Sequence, residues 1–143
     1  MSQENVEIVR RIYEGINLQG EFPREWFDPD CVTDWTQVAP DGGLYRGVDA
    51  TNTAVATYFR TFEDFHVEAE VIVYADQRRV VTAIRDGGRI RGGNKKVTNR
   101  YFHAWAFRDG RVVRLSSHID RDQALQAVGL SEQDAADRPA GWE

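Results

Sequence analysis

The chain has 143 residues, a formal net charge of -5, 41% hydrophobic and 29% charged residues. That length suits one domain able to bury a core without a disulfide or metal staple, and the acidic balance weighs against non-specific nucleic-acid binding, which relies on Lys and Arg at phosphates. The single cysteine, Cys31, excludes an internal disulfide and fits the reducing cytoplasm, while no apolar run approaches the ~20 residues of a membrane helix.

The N-terminal MSQENVEIVRRIYEG carries charges throughout and is not read as a secretory signal. Ser2 is positioned to cap a helix over about 3–18, with Val6, Val9, Tyr13 and Ile16 forming one apolar stripe. Gly20 breaks it. PREWF reads as a short helix with Pro23 in its first turn. DPDCVTDWTQV is a turn followed by a short strand, and APDGGLYRG a loop. A further helix spans about 49–62, capped by Asp49, with Val55, Tyr58, Phe59 and Phe62 on its apolar face.

The period then changes from helical to two. HVEAEVIVY alternates, with Val67, Ala69, Val71 and Val73 to one side. RRVVTAIRD, KKVTNRYFHAWAF and RVVRLSSHI are three more strands. The basic run RDGGRIRGGNKK between them reads as a solvated hairpin tip. RDQALQAV is a short helix ending at Gly129, and SEQDAADRPAGWE (131–143) a loosely held polar tail beyond a single domain over 1–130. Helices followed by an antiparallel meander give an α+β fold, its curled sheet leaving a cavity under the helices.

The richest stretch is YFHAWAFRDGRVVRLSSHID, residues 101–120. Asp109-Gly110 signals a two-residue hairpin loop. Counting back from it sets Phe107 opposite Val112, Trp105 opposite Arg114, His103 opposite Ser116 and Tyr101 opposite His118, all on one face. Phe102, Ala104, Ala106, Val113, Leu115 and Ile119 fall on the other. The mixed face has the composition of a pocket wall. Asp34, flanked by Val32, Trp35 and Val38, is a candidate base whose pKa burial would raise. A metal held by His103, His118 and Asp34 would need all three to converge, and no Cys/His cluster has zinc spacing. A phosphate loop and a nucleophile elbow are both absent from the sequence. Cys31 reads as a small buried apolar residue.

As a set, ENVEIVRRIYEGIN, FDPDCVTDW, LYRG and FHAWAFRDGRVVRLSSHIDRDQAL resemble the SnoaL-like branch of the nuclear transport factor 2-like superfamily. The resemblance implies a cone: a strongly bent antiparallel sheet wrapped around the N-terminal helices, with a deep pocket in its concave face and a homodimeric assembly. The superfamily includes ketosteroid isomerases, polyketide cyclases, scytalone dehydratases and limonene epoxide hydrolases. Against the isomerase pattern, Asp34 falls at the general-base aspartate, His103 at the hydrogen-bond-donating aspartate, and Ile12 at the catalytic tyrosine, with Tyr13 next along.

Two functions follow as expectations. In the first, a cofactor-free enzyme moves a proton on a small, mostly apolar carbonyl or cyclic compound. Asp34, His103 and His118 are its catalytic groups, and Tyr13, Trp35, Tyr101, Trp105, Arg114 and Ser116 its ligand contacts. In the second, the same fold is a non-catalytic module whose pocket binds a ligand or is merely filled, and the sheet serves a homodimer.

Overall fold

The apolar stripe of the first helix is the axis on which the chain folds. In the computed structural model, which describes residues 2–38 and 43–136, α1 (Ser2–Gln19) buries Val6, Val9, Ile12, Tyr13 and Ile16. Each such side chain contributes about 1.5–3 kcal/mol by leaving water, which fixes the face that the sheet must cover. A 3₁₀ turn at Arg24–Trp26 follows Pro23 and leads into β1 (Phe27–Asp34). Then come β2 (Leu44–Arg46), α2 (Val48–Arg60), β3 (His66–Ala75), β4 (Arg79–Arg89), β5 (Lys96–Arg108), β6 (Arg111–His118), α3 (Arg121–Ala127) and α4 (Glu132–Ala136).

The six strands form one sheet in the order β2-β1-β6-β5-β4-β3. α2 carries the chain from one edge to the other. The meander β3 to β6 then returns, and β6 pairs parallel with β1, so the sheet is mixed rather than wholly antiparallel. It stays open, bends around α1 and carries α3 on its outer side. The inner core joins α1 to Phe27, Cys31, Ile72, Val80, Ile84, Trp105, Phe107, Val112 and Leu115. A smaller outer core joins Val73, Val81 and Ala104 to Ala124 and Leu125 of α3.

Several local expectations are corrected. LYR is an edge strand rather than part of a loop, because Val32, Thr33 and Asp34 pair with it. Asp49 lies inside α2 and forms an ion pair with Arg24, while Gly47 takes the cap position. The alternation of β3 is interrupted by register shifts after Ala69 and Ile72, which expose Val71 and bury Ile72. Leu115 belongs to the inner core rather than to an outer packing face. Residues 132–136 form α4 and bury Ala135, where a loose tail was expected. The side chain of Ser2, expected to cap the first helix, and residues 39–42 and 137–143, expected as parts of a loop and a polar tail, lie outside the described residues.

Asp109-Gly110 does form the two-residue hairpin turn, with φ of 53° and 77°, the paired positive values that the right-handed strand twist favours. Gly87 is needed for a different reason. Its φ is 140°, and a Cβ there would lie 1.9 Å from the carbonyl oxygen of Val97 on the neighbouring strand. Gly87→Ala should therefore separate β4 from β5 beside Asp86. We expect a loss of about 3 kcal/mol or more in chemical denaturation; an unchanged midpoint would show that the strands tolerate the wider spacing.

Candidate functional site

The hairpin register holds only for its first two pairs. Arg108 faces Arg111 and Phe107 faces Val112, but Ala106 then faces Arg114, Trp105 faces Leu115, Ala104 faces Ser116, His103 faces Ser117 and Phe102 faces His118. Val113 is a β-bulge, and one extra residue moves every later side chain of β6 to the other face. Tyr101, His103, Trp105, Leu115 and Ser117 thus face inward. Arg114, Ser116 and His118 face outward, contrary to expectation.

Asp34 shares that outer face, because β1 pairs it with Ser116. Its Oδ1 accepts from the Thr36 backbone N–H (2.9 Å) and hydroxyl (2.7 Å), and its Oδ2 from Arg114 Nη2 (2.9 Å). Burial alone would raise its pKa. The Thr36 hydrogen bonds and the Arg114 and His118 charges outweigh burial and hold it below the ordinary aspartate value, which corrects the expectation of a raised pKa. His118 bonds Ser116 Oγ through Nε2 (2.8 Å), and its buried Nδ1 has no partner among the described residues. Asp34 and His118 therefore do not converge with His103. Among the described residues, no group of three His, Cys, Asp or Glu is arranged to hold a metal.

The inward face closes one side of a cavity of about 830 Å³. Ile16, Phe22, Trp35, Phe59, Phe65 and Val67 give it apolar walls. Of the expected ligand contacts, Trp35 and Tyr101 line it, whereas Tyr13 and Trp105 are buried behind His103. There they form a polar relay. Trp105 Nε1 donates to Thr82 Oγ1 (3.4 Å), Thr82 and Tyr13 hydroxyls lie 2.9 Å apart, and Tyr13 is 2.8 Å from His103 Nδ1. An indole N–H only donates. The assignment that uses every proton runs Trp105 to Thr82 to Tyr13 to Nδ1. It leaves His103 neutral with Nε2–H as a donor, and Nε2 has no partner among the described residues. Burial, helped by the charge of His118, pushes the His103 pKa down to about 3, so the imidazole stays neutral across the physiological range.

The sequence reading missed the cavity's carboxyl group. Asp86 lines the wall, 3% exposed, beside Tyr58, Asn99 and Tyr101. Its Oδ2 accepts from Tyr101 (2.5 Å), and its Oδ1 from Tyr58 (2.9 Å) and Asn99 (3.2 Å). Burial raises its pKa against those three hydrogen bonds. The signal was present in VVTAIRD: Val80, Thr82, Ile84 and Asp86 alternate onto one face, so a carboxylate continues a buried row. Ser117 was also missed. It faces His103, and its buried Oγ has no partner among the described residues.

The neutral His103 has a consequence for stability. Its pKa falls from 6.5 to about 3 on folding, so over that interval the unfolded chain binds a proton that the native chain does not. The contribution is fully present above the unfolded value and is lost as pH falls toward the folded one. Wild-type stability should drop by on the order of a few kcal/mol more than that of His103→Gln between about pH 6.5 and 4. Parallel urea-derived stability profiles for the two proteins would refute the assignment.

Comparison with known proteins agrees with this architecture. A search of curated proteins gives no match. Bal32a, from a soil-derived mobile gene cassette, has 21% identity, with 82% of this chain and 89% of that one covered and a TM-score of 0.69. A candidate SnoaL-like polyketide cyclase of Jannaschia sp. CCS1 has 19% identity, coverage of 96% and 95%, and a TM-score of 0.68. An NTF2-like protein of unknown function from Mesorhizobium loti has 22% identity, coverage of 83% and 93%, and a TM-score of 0.63. At these identities the likeness is one of fold. The sequence model of the SnoaL-like domain matches residues 9–115, from within α1 to Leu115 on the cavity-facing side of β6, and on that match the chain belongs to the SnoaL-like family.

Proposed function

We propose that this chain binds a small, mostly apolar carbonyl or cyclic compound in the inner cavity, with His103 donating a hydrogen bond to its oxygen. The observation that carries this reading is His103, held at Nδ1 by a buried relay while lining a largely apolar space of about 830 Å³, with Nε2 unpartnered among the described residues. Drug-sized ligands occupy pockets of ~300–1,000 Å³ lined by apolar surface with few directed polar groups. A fixed donor in such a space loses no reorganisation energy when a carbonyl arrives.

A second reading is proton-transfer catalysis on the same compound: isomerisation, aldol cyclisation, dehydration or epoxide opening. What favours it is the same Nε2–H, which would stabilise an oxygen that gains negative charge. Asp34 has no part in this proposal, being tied to Arg114 on the far face. We further propose that two copies pair through the sheet, supported by the outer row of exposed Val71 and half-buried Ala83 and Phe102.

Aromatic ketones and phenols screened by thermal shift should include ligands that stabilise the chain, by ~2.7 kcal/mol at one hundred times the dissociation constant. With such a ligand, His103→Gln should weaken binding about tenfold if the pocket only binds, and should reduce turnover more than affinity if it catalyses. Unchanged affinity in His103→Gln would remove His103 from the ligand. Sedimentation as a monomer at micromolar concentration would remove the dimer.

A further inference from the structure

We infer that the ligand carries a protonated amine, seated against the Asp86 carboxylate among the aromatic rings of the cavity wall; this rests on the inner cavity being a ligand pocket. A carboxylate has about four acceptor positions. Tyr101, Tyr58 and Asn99 fill three of them, and all three donors are neutral. The neighbouring arginines are paired elsewhere: Arg85 with Glu68, Arg89 with Glu63 and Asp64, and Arg100, on the cavity rim, with Glu70. Asp86 thus brings a negative charge to a desolvated wall with dipoles but no counter-ion among the described residues. Burying a charge that way is costly, and an arriving cation relieves the cost.

The surroundings select among donors for the fourth position. Tyr58, Phe59, Phe65 and Tyr101 line the same cavity, with the Tyr58 ring 6.1 Å from Phe59 and 5.8 Å from Phe65. Aromatic faces attract cations, most strongly out of water. A neutral hydroxyl would gain the hydrogen bond but neither charge term, and an anionic ligand would be repelled. The amine end and the oxygen end are set apart by the sheet. Asp86 pairs with Asn99, and His103 stands four positions further along β5, roughly 13 Å at ~3.3 Å per residue. That span fits one or two rings between an ammonium and a carbonyl.

The groups facing Asp86 are Tyr58 from α2, Asn99 and Tyr101 from β5, and the apolar Val67 opposite on β3. Burial holds the carboxyl pKa above its ordinary value, so amine affinity should rise with pH until Asp86 is fully ionised.

Naphthylmethylamine and naphthalenemethanol, nearly equal in size, separate charge from fit. Calorimetric titration of the full chain should show the amine binding about tenfold more tightly than the alcohol at neutral pH, and Asp86→Asn should erase that preference. Should that variant fail to fold, the wild-type chain still decides: the amine-to-alcohol affinity ratio should rise between about pH 4 and 7. Equal or tighter binding of the alcohol overturns the inference while leaving the pocket reading intact. Binding of neither probe overturns both.

Discussion

Between Phe107 and Ala106, β6 supplies two residues, Val112 and Val113, where β5 supplies one. Side chains on a strand alternate between faces, so this single extra residue inverts the remainder of β6. Without it, Arg114, Ser116 and His118 would crowd the cavity, and Leu115 would face outward. With it, Leu115 packs on Trp105 in the inner core, and Arg114 turns outward to pair with Asp34. The bulge also makes the cavity more apolar than an uninterrupted hairpin would. The neutral His103 and the desolvated Asp86 both depend on that low polarity.

His103 and Asp86 lie in the same largely apolar space, and they are stabilised differently. His103 is held by the chain Trp105, Thr82, Tyr13, in which every proton has an acceptor. Such a satisfied network costs little beyond desolvation and fixes one geometry. Asp86 is surrounded by donors but has no compensating charge among the described residues. The close approach of β4 and β5 at Gly87 keeps Asn99 and Tyr101 within reach of it. One station is complete and presents a donor; the other retains acceptor capacity. A ligand able to meet both has a hydrogen-bond acceptor at one end and a donor at the other.

Much of the fold was legible because it rests on periodicities. The stripe Val6, Val9, Tyr13, Ile16 gave α1, and alternation after Phe62 gave the four long strands. Asp109-Gly110 gave the turn and the first pairs of the hairpin. The bulge was not legible: RVVRLSSH alternates no better in one register than in the other, and only the packing of Leu115 against Trp105 decides. Edge strand β2 was missed because its three residues depend on pairing with β1 rather than on their own pattern. The shared face of His103 and Tyr101 was legible from their spacing on β5, and both line the cavity together with Trp35. Asp86 was passed over because Arg85 and Gly87 made it look like part of a solvated tip, although its parity with Thr82 and Ile84 marked it as inward-facing.

The same parity decides how far a family pattern can be carried onto this chain. On a strand, neighbouring residues point about 180° apart, so an assignment off by one residue lands on the wrong face. Asp34 pairs with Ser116 and faces outward, while Thr33, next to it, is buried toward α2 and bonds Thr51. On a helix, neighbouring residues are only about 100° apart, and a slip of one can leave a side chain within the same core. Ile12 and Tyr13 are both buried, and it is Tyr13 whose hydroxyl reaches His103. A displacement of one residue can therefore keep a helical side chain in the core, and it turns a strand side chain to the opposite face. Tyr13 stands beside His103, and the buried carboxylate of the cavity wall is Asp86 on β4, four positions along one face from Thr82 in the middle of the relay.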